Sequence, residues 1–195
     1  MPRDFWTQVI DIDLPEMVEF ERPSGGEDAL EKAAEMLSKA KSPIILNGAG
    51  VVLANAIPAT IKLAERLDAP VCVGYQHNDA FPGSHPLFVG PLGYNGSKAG
   101  MQLISEADVV LCLGTRLNPF STLPGYGMDY WPKDAKIIQV DINPDRIGLT
   151  KKVAVGIIGD AKKVANSLLD KLSESAGDAG RADRKAKISQ TTVSY

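Results

Sequence analysis

Short apolar runs alternate with amphipathic stretches along this chain. Residues 43–47, 70–74, 87–90, 108–114, 136–141 and 153–159 each predict a short strand. Most are β-branched runs without polar alternation, the pattern of strands covered on both faces. Between them the period changes to that of a helix. Ser24 and Glu27 have capping-box spacing, and Leu30, Ala33, Ala34 and Leu37 follow at helical intervals, which predicts a helix over residues 26–40. Pro58 suits the first turn of a second helix, with Ile57, Ile61 and Ala64 on one face. Ser97 opens a third. Asp160 is a good N-cap for a fourth, whose stripe is Val164, Ala165, Leu168, Leu169 and Leu172.

Strands that alternate with helices predict an α/β fold: a Rossmann-like open sheet of about six parallel strands with helices on both faces, joined by right-handed crossovers. That domain is expected over residues 23–173. Residues 1–22 read as a linker from a preceding domain, because Phe5 and Trp6 come before any element that could cover them. Residues 174–195 are polar and small, without a sustained apolar face, and predict a mobile linker toward a following domain. Residues 75–100 and 115–135 are long connections rich in Gly, Pro and Asn, and loops of that length in a compact domain tend to carry function.

Composition narrows the partners. With 21 Lys and Arg against 24 Asp and Glu, the net charge is -3, so the basic face of a nucleic-acid or anionic-membrane binder is not expected. No apolar run approaches the ~20 residues of a membrane span, and no targeting signal is visible, so a cytoplasmic location is the default. Cys72 and Cys112 sit inside apolar runs and read as buried thiols.

Ligands of open parallel sheets bind beyond the carboxyl ends of the strands, where strand order reverses. The turn Asn47-Gly48-Ala49-Gly50 follows the first strand, and its glycines suit either the approach of a phosphate or a plain tight turn. Gly114-Thr115-Arg116 brings a hydroxyl and a guanidinium to the same sheet edge, or else a surface Arg. Asp141, before Asn143 and Pro144, can hold a ribose hydroxyl or cap the next turn. His77 and His85 share one loop system, but they lack helical alignment and a third strong ligand, so no metal site is predicted. No nucleophile–base arrangement or paired carboxylates are evident, and no catalytic residue is assigned.

Three stretches together resemble the middle domain of thiamine diphosphate-dependent enzymes of the acetohydroxyacid synthase group. They are Phe81-Pro82-Gly83-Ser84-His85-Pro86-Leu87 running on to Gly90-Pro91-Leu92-Gly93, then Gly114-Thr115-Arg116-Leu117, then residues 137–144 closing with Gly159-Asp160-Ala161. The resemblance covers residues 1 to about 175 and supports the Rossmann-like fold. Residues 74–82, 93–97 and 118–127 look more narrowly like the branch of that group that works on sulfoacetaldehyde. That branch implies release of sulfite and capture of the acetyl group by phosphate, with thiamine diphosphate and Mg²⁺ supplying the chemistry. The family holds that cofactor with a Glu on its first domain and a Gly-Asp-Gly motif on its last. The resemblance therefore implies a positioning domain, inactive alone, with the N- and C-terminal domains of the same longer chain as partners in a homo-oligomer.

In relatives the middle domain binds FAD through glycine turns, the first Arg and the strand-five acid. Carried over, these imply cofactor-binding roles for Gly48, Gly50, Gly93, Gly96, Gly114, Thr115, Arg116, Asp141 and Asn143. Asn118, Pro119 and Phe120 replace the acidic pair and second Arg of acetohydroxyacid synthases, which argues against a keto-acid acceptor and puts FAD behind ADP or an empty crevice. Tyr94, Tyr126, Tyr130 and Trp131 are expected contact residues on the long loops. The alternatives are a flavin-binding middle domain of an acetohydroxyacid synthase-like enzyme and a free-standing nucleotide-binding module.

Overall fold

The computed structural model describes residue 9 and residues 11–192. Six strands, β1 (Pro43–Asn47), β2 (Val71–Gly74), β3 (Phe88–Leu92), β4 (Val109–Leu113), β5 (Lys136–Asp141) and β6 (Val155–Ile158), form one sheet. Its order is β3-β2-β1-β4-β5-β6, and every neighbouring pair is parallel. β1, β2 and β4 are buried along their whole length, as their unbroken apolar runs require. β6 sits at an edge and alternates, with Val155 and Ile157 inward. At the other edge β3 carries a bulge opposite Val71 and Cys72, and Pro91 is tolerated where one flank needs no amide donor.

The helices are α1 (Glu27–Lys39), α2 (Ala49–Leu53), α3 (Ile57–Leu67), α4 (Lys98–Ser105), α5 (Ala161–Lys171) and α6 (Arg181–Thr192). α5 packs between α1 and α3, while α4 lies on β3 and against α6. Right-handed crossovers leaving the sheet in opposite directions from β1 and β3 put these two groups on opposite faces. The caps of α4 and α5 form as the sequence predicts. Ser97 Oγ accepts the Gly100 amide at 3.2 Å, and Asp160 Oδ1 accepts the Lys162 and Lys163 amides at 3.0 and 3.1 Å.

Three expectations change. The Ser24–Glu27 capping box does not form, because the Ser24 backbone bridges to Gly159, Gly25 turns the chain at φ +93°, and Glu27 pairs with Lys171. In α3 the buried side is Ala59, Thr60, Leu63, Ala64 and Leu67, and Ile57 and Ile61 are only half-buried against the core. The segment expected to be a mobile linker from residue 174 instead carries α6, docked beneath the amino ends of β1 and β2. The buried Arg184 guanidinium holds it there, donating to the carbonyls of Lys41 at 2.7 Å, Leu67 at 3.0 Å and Asp68 at 3.2 Å, and to those of Gly177 and Ala179. A largely polar sequence is ordered by the Arg184 guanidinium satisfying backbone groups that would otherwise be orphaned, together with buried Ile188 and the Lys187–Glu106 pair. The linker reading of residues 1–8 lies outside the described residues, Phe5 and Trp6 included.

A crevice at the strand-order switch

β1 leads leftward to β2 and β3, while the chain returns across the sheet to β4, so the order reverses between β1 and β4. Their two following turns part there. A crevice of about 380 Å³ opens at this point, lined by Gly50, Leu53 and Ala54 after β1, Gly114 after β4, Asp141 at the end of β5 with Ile142 and Arg146 after it, and Gly159 and Asp160 after β6, together with Arg22.

Its floor is a backbone-to-backbone contact. The Gly50 amide donates to the Gly114 carbonyl at 2.9 Å, and the Gly48 amide donates to Leu113 at 2.9 Å. A Cβ on Gly48 would stand 2.6 Å from the Thr115 Cβ. The glycines therefore serve close packing of two turns, and their amides are spent on it, which favours the tight-turn reading over a phosphate cradle.

The walls are apolar and the polar groups few. Leu53 and Ile142 are exposed into solvent beside the crevice. Asp141 is buried, its Oδ1 accepting the Asn143 amide at 2.9 Å. Across from it Arg22 Nη1 donates to Asp160 Oδ2 at 2.9 Å. Burial alone would push the Asp160 carboxyl up, but the hydrogen bonds from Arg22, Lys163 and Lys162 and the Arg22 charge outweigh it and hold it below its ordinary value. Apolar walls with two carboxylates, one of them paired with Arg22, and the exposed Arg146 guanidinium can take up an apolar ring joined to a hydroxylated and anionic group.

Of the residues singled out in the sequence, Gly50, Gly114 and Asp141 line this crevice, and Gly48 supports its floor. The others are elsewhere. Thr115 Oγ1 accepts the Leu117 amide at 3.3 Å, the exposed Arg116 is not among the lining residues, and Asn143 Oδ1 caps the short turn Pro144–Arg146 through the Asp145 amide at 2.9 Å. Gly93 and Gly96 belong to the β3–α4 loop, where a Cβ on Gly93 (φ +81°) would meet the Phe120 carbonyl oxygen at 2.0 Å. Sequence reasoning missed Arg22, Arg146, Leu53 and Ile142. Arg146 was legible as the first cation after Asp141, but Arg22 meets Asp160 across 138 residues and carries no local signal.

The long loops form a second feature at the same sheet edge. Tyr75 meets Tyr94 edge-on and lies tilted on Phe120, both with ring centroids 6.2 Å apart, and Tyr126 donates to the Gly96 carbonyl at 3.0 Å. Tyr94, Phe120 and Tyr126 are exposed. Tyr130 is not a surface contact residue: it is fully buried, and Trp131 is half-buried with the Lys151 ammonium 4.9 Å from its ring centre. His85 serves the loop itself, packing on Phe81 and accepting the Leu87 amide at 3.2 Å.

Comparison with known proteins agrees with this fold. Residues 30–168 match the family described as the thiamine pyrophosphate enzyme, central domain. A sulfoacetaldehyde acetyltransferase of Roseovarius nubinhibens is 78% identical over all 195 residues, which cover 32% of that protein. An acetolactate synthase large subunit of Corynebacterium glutamicum is 33% identical over 159 residues, 82% of this chain and 25% of that protein. Benzoylformate decarboxylase from Polynucleobacter necessarius shares the fold at a TM-score of 0.68 and 24% identity, across 91% of this chain and 33% of its own. The chain thus spans about a third of the length of the relatives it matches.

Proposed function

From the premise that the chain belongs to the thiamine pyrophosphate enzyme central-domain family, we propose that it is the middle domain of a sulfoacetaldehyde acetyltransferase. The observation that carries this reading is the 78% identity with one such enzyme along the entire chain, against 33% with an acetolactate synthase. The complete enzyme would convert sulfoacetaldehyde and phosphate to acetyl phosphate and sulfite, in the cytoplasm and as a homo-oligomer, using thiamine diphosphate and Mg²⁺.

The described residues do not fit that cofactor. Ala161 stands where a Gly-Asp-Gly motif has its second glycine, and the Asp160 carboxylate is spent on two α5 amides and Arg22. Among the described residues no three His, Cys, Asp or Glu side chains gather as a metal site. No chemical step is therefore assigned to this domain. Its role is to hold its neighbours, with the loops bearing Tyr94, Phe120 and Tyr126 turned toward them, and to bind an ADP-like group in the crevice. Leu53 and Ile142 would clasp the base there and Asp141 would accept from a ribose hydroxyl.

The activity is tested by assaying acetyl phosphate and sulfite formation with the complete protein and with the 195-residue chain. Turnover by the short chain would overturn the division of labour, and none by the complete protein would overturn the reaction. The crevice is tested by calorimetric titration with ADP. Asp141→Asn is expected to weaken binding by roughly tenfold or more, the worth of a charge-assisted hydrogen bond. Flavin absorbance after gentle purification would instead favour the flavin-binding alternative.

A further inference from the structure

Residues 11–21 form no helix or strand, and among the described residues they make no hydrogen bond or ion pair. They nonetheless carry a dense set of large apolar side chains. Ile12 is 62% exposed, Leu14 78%, Met17 95%, Val18 69% and Phe20 83%. Single exposed apolar residues need no explanation, but five within nine positions do. The sequence around them has a period of two: Ile12 and Leu14 alternate with Asp11 and Asp13, and Val18 and Phe20 alternate with Glu19 and Glu21. That is the signature of extended chain with one mainly apolar side, Ile12, Leu14, Val18 and Phe20, and one mainly acidic side, with Glu16 and Met17 falling out of phase beside Pro15. Pro15, which lacks an amide donor, divides it into two short halves.

The end of this strap is tied down firmly. Arg22 reaches Asp160, Lys163 Nζ donates to the Arg22 carbonyl at 2.7 Å, and the Asp160 amide donates to Pro23 at 2.8 Å. The strap therefore springs from the rim of the crevice, at the carboxyl edge of the sheet, in a direction set by these contacts. At roughly 3.3 Å per residue it reaches about 35 Å, enough to cross a small domain.

We propose that residues 11–21 are a docking strap whose apolar side lies in a trough on another domain of the same longer polypeptide, a trough bordered by Lys and Arg. This rests on the reading that the chain is one domain of a larger enzyme, about two thirds of whose relative's length lies outside it. A second copy of this chain fits less well, because pairing two straps would set Asp11, Asp13, Glu19 and Glu21 against their own counterparts. A basic border neutralises them instead, and the apolar side leaves water.

Hydrogen exchange followed by mass spectrometry tests this on both forms of the protein. In the 195-residue chain the amides of residues 11–21 exchange at the rate of an unstructured peptide. In the complete protein they exchange at least about 100-fold more slowly, and the double substitution Leu14→Ser, Phe20→Ser restores fast exchange. The same double substitution leaves the Tm of the 195-residue chain within about 1 °C, since both side chains are largely exposed there. Fast exchange in the complete protein overturns the proposal, as does slow exchange in a dimer of the 195-residue chain. Acetyl phosphate formation by the complete protein is read separately, so the failure of the enzymatic reading is distinguishable from the failure of the strap.

Discussion

Gly50 and Gly114 touch backbone to backbone at the floor of the crevice: a Cβ on Gly114 would stand 2.5 Å from the Gly50 Cα, and one on Gly50 would stand 2.6 Å from the Gly114 Cα. Gly114 also holds φ +58°, a conformation costly to other residues. Gly114→Ala is therefore expected to cost about 2–4 kcal/mol, combining overpacking with backbone strain. Urea denaturation at constant m-value measures it. A loss below about 0.5 kcal/mol would mean the two turns part freely.

Arg184 makes the docking of α6 dependent on one side chain. Arg184→Met keeps the apolar stem but leaves the carbonyls of Lys41, Leu67, Asp68, Gly177 and Ala179 without their donor. The expected cost is roughly 3 kcal/mol, confined to α6 and its approach. Hydrogen exchange would read it as lost protection over residues 181–191 with the strands unchanged. Unchanged protection of α6 would show that Ile188 and the Lys187–Glu106 pair suffice.

The Asp160 carboxyl is held below its ordinary value, so the folded state binds its proton more weakly than the unfolded state. Its contribution is thus present above the usual carboxylate range, near pH 4, and is lost as pH falls through the depressed value. Asp160→Ala removes the α5 cap and the Arg22 partner, and about 1–2 kcal/mol is expected at neutral pH. Chemical denaturation at several pH values checks this, with the gap between the two proteins closing on acidification. A gap independent of pH would contradict the assignment.

Alkaline pH acts through a different set. Burial pushes the Tyr130 phenol up to about 12, and its hydroxyl faces the Gly93 amide without reaching hydrogen-bond geometry. Burial also pushes the Cys72 and Cys112 thiols up. Groups whose folded values are raised stabilise fully below their unfolded values and lose that contribution as pH rises, here from about pH 8.5 for the thiols and 10 for the phenol. Stability should fall steadily above pH 8.5 and both thiols should resist a thiol reagent until unfolding. Tyr130→Phe, which removes an unpaired hydroxyl, should be neutral or stabilising by up to about 1 kcal/mol.

How much was legible depended on the range of the interaction. The strand runs at 43–47 and 109–113 and the caps at Ser97 and Asp160 are written within a few residues, where one apolar period or one side chain reaching its own backbone decides the outcome. The Ser24–Glu27 box has equally good local spacing, yet it fails because Gly159, distant in sequence, claims the Ser24 backbone. Asp141 was legible as a site residue from its place at a strand end. Arg22 was not, since its partner is defined only after the sheet has formed.

By itself the sequence determined the parallel α/β sheet, the order of its elements and the strand ends that carry Gly50, Gly114 and Asp141, because hydrophobic period and turn chemistry act over a few residues at a time. Only the tertiary structure decided that the Gly48 and Gly50 amides are spent on the carbonyls of Leu113 and Gly114, that Tyr130 is buried, that Arg22 and Arg146 frame the crevice, and that Arg184 helps order a helix from a polar tail. Each of those outcomes depends on which backbone groups and side chains from remote segments meet, and close packing leaves such meetings no expression in local pattern.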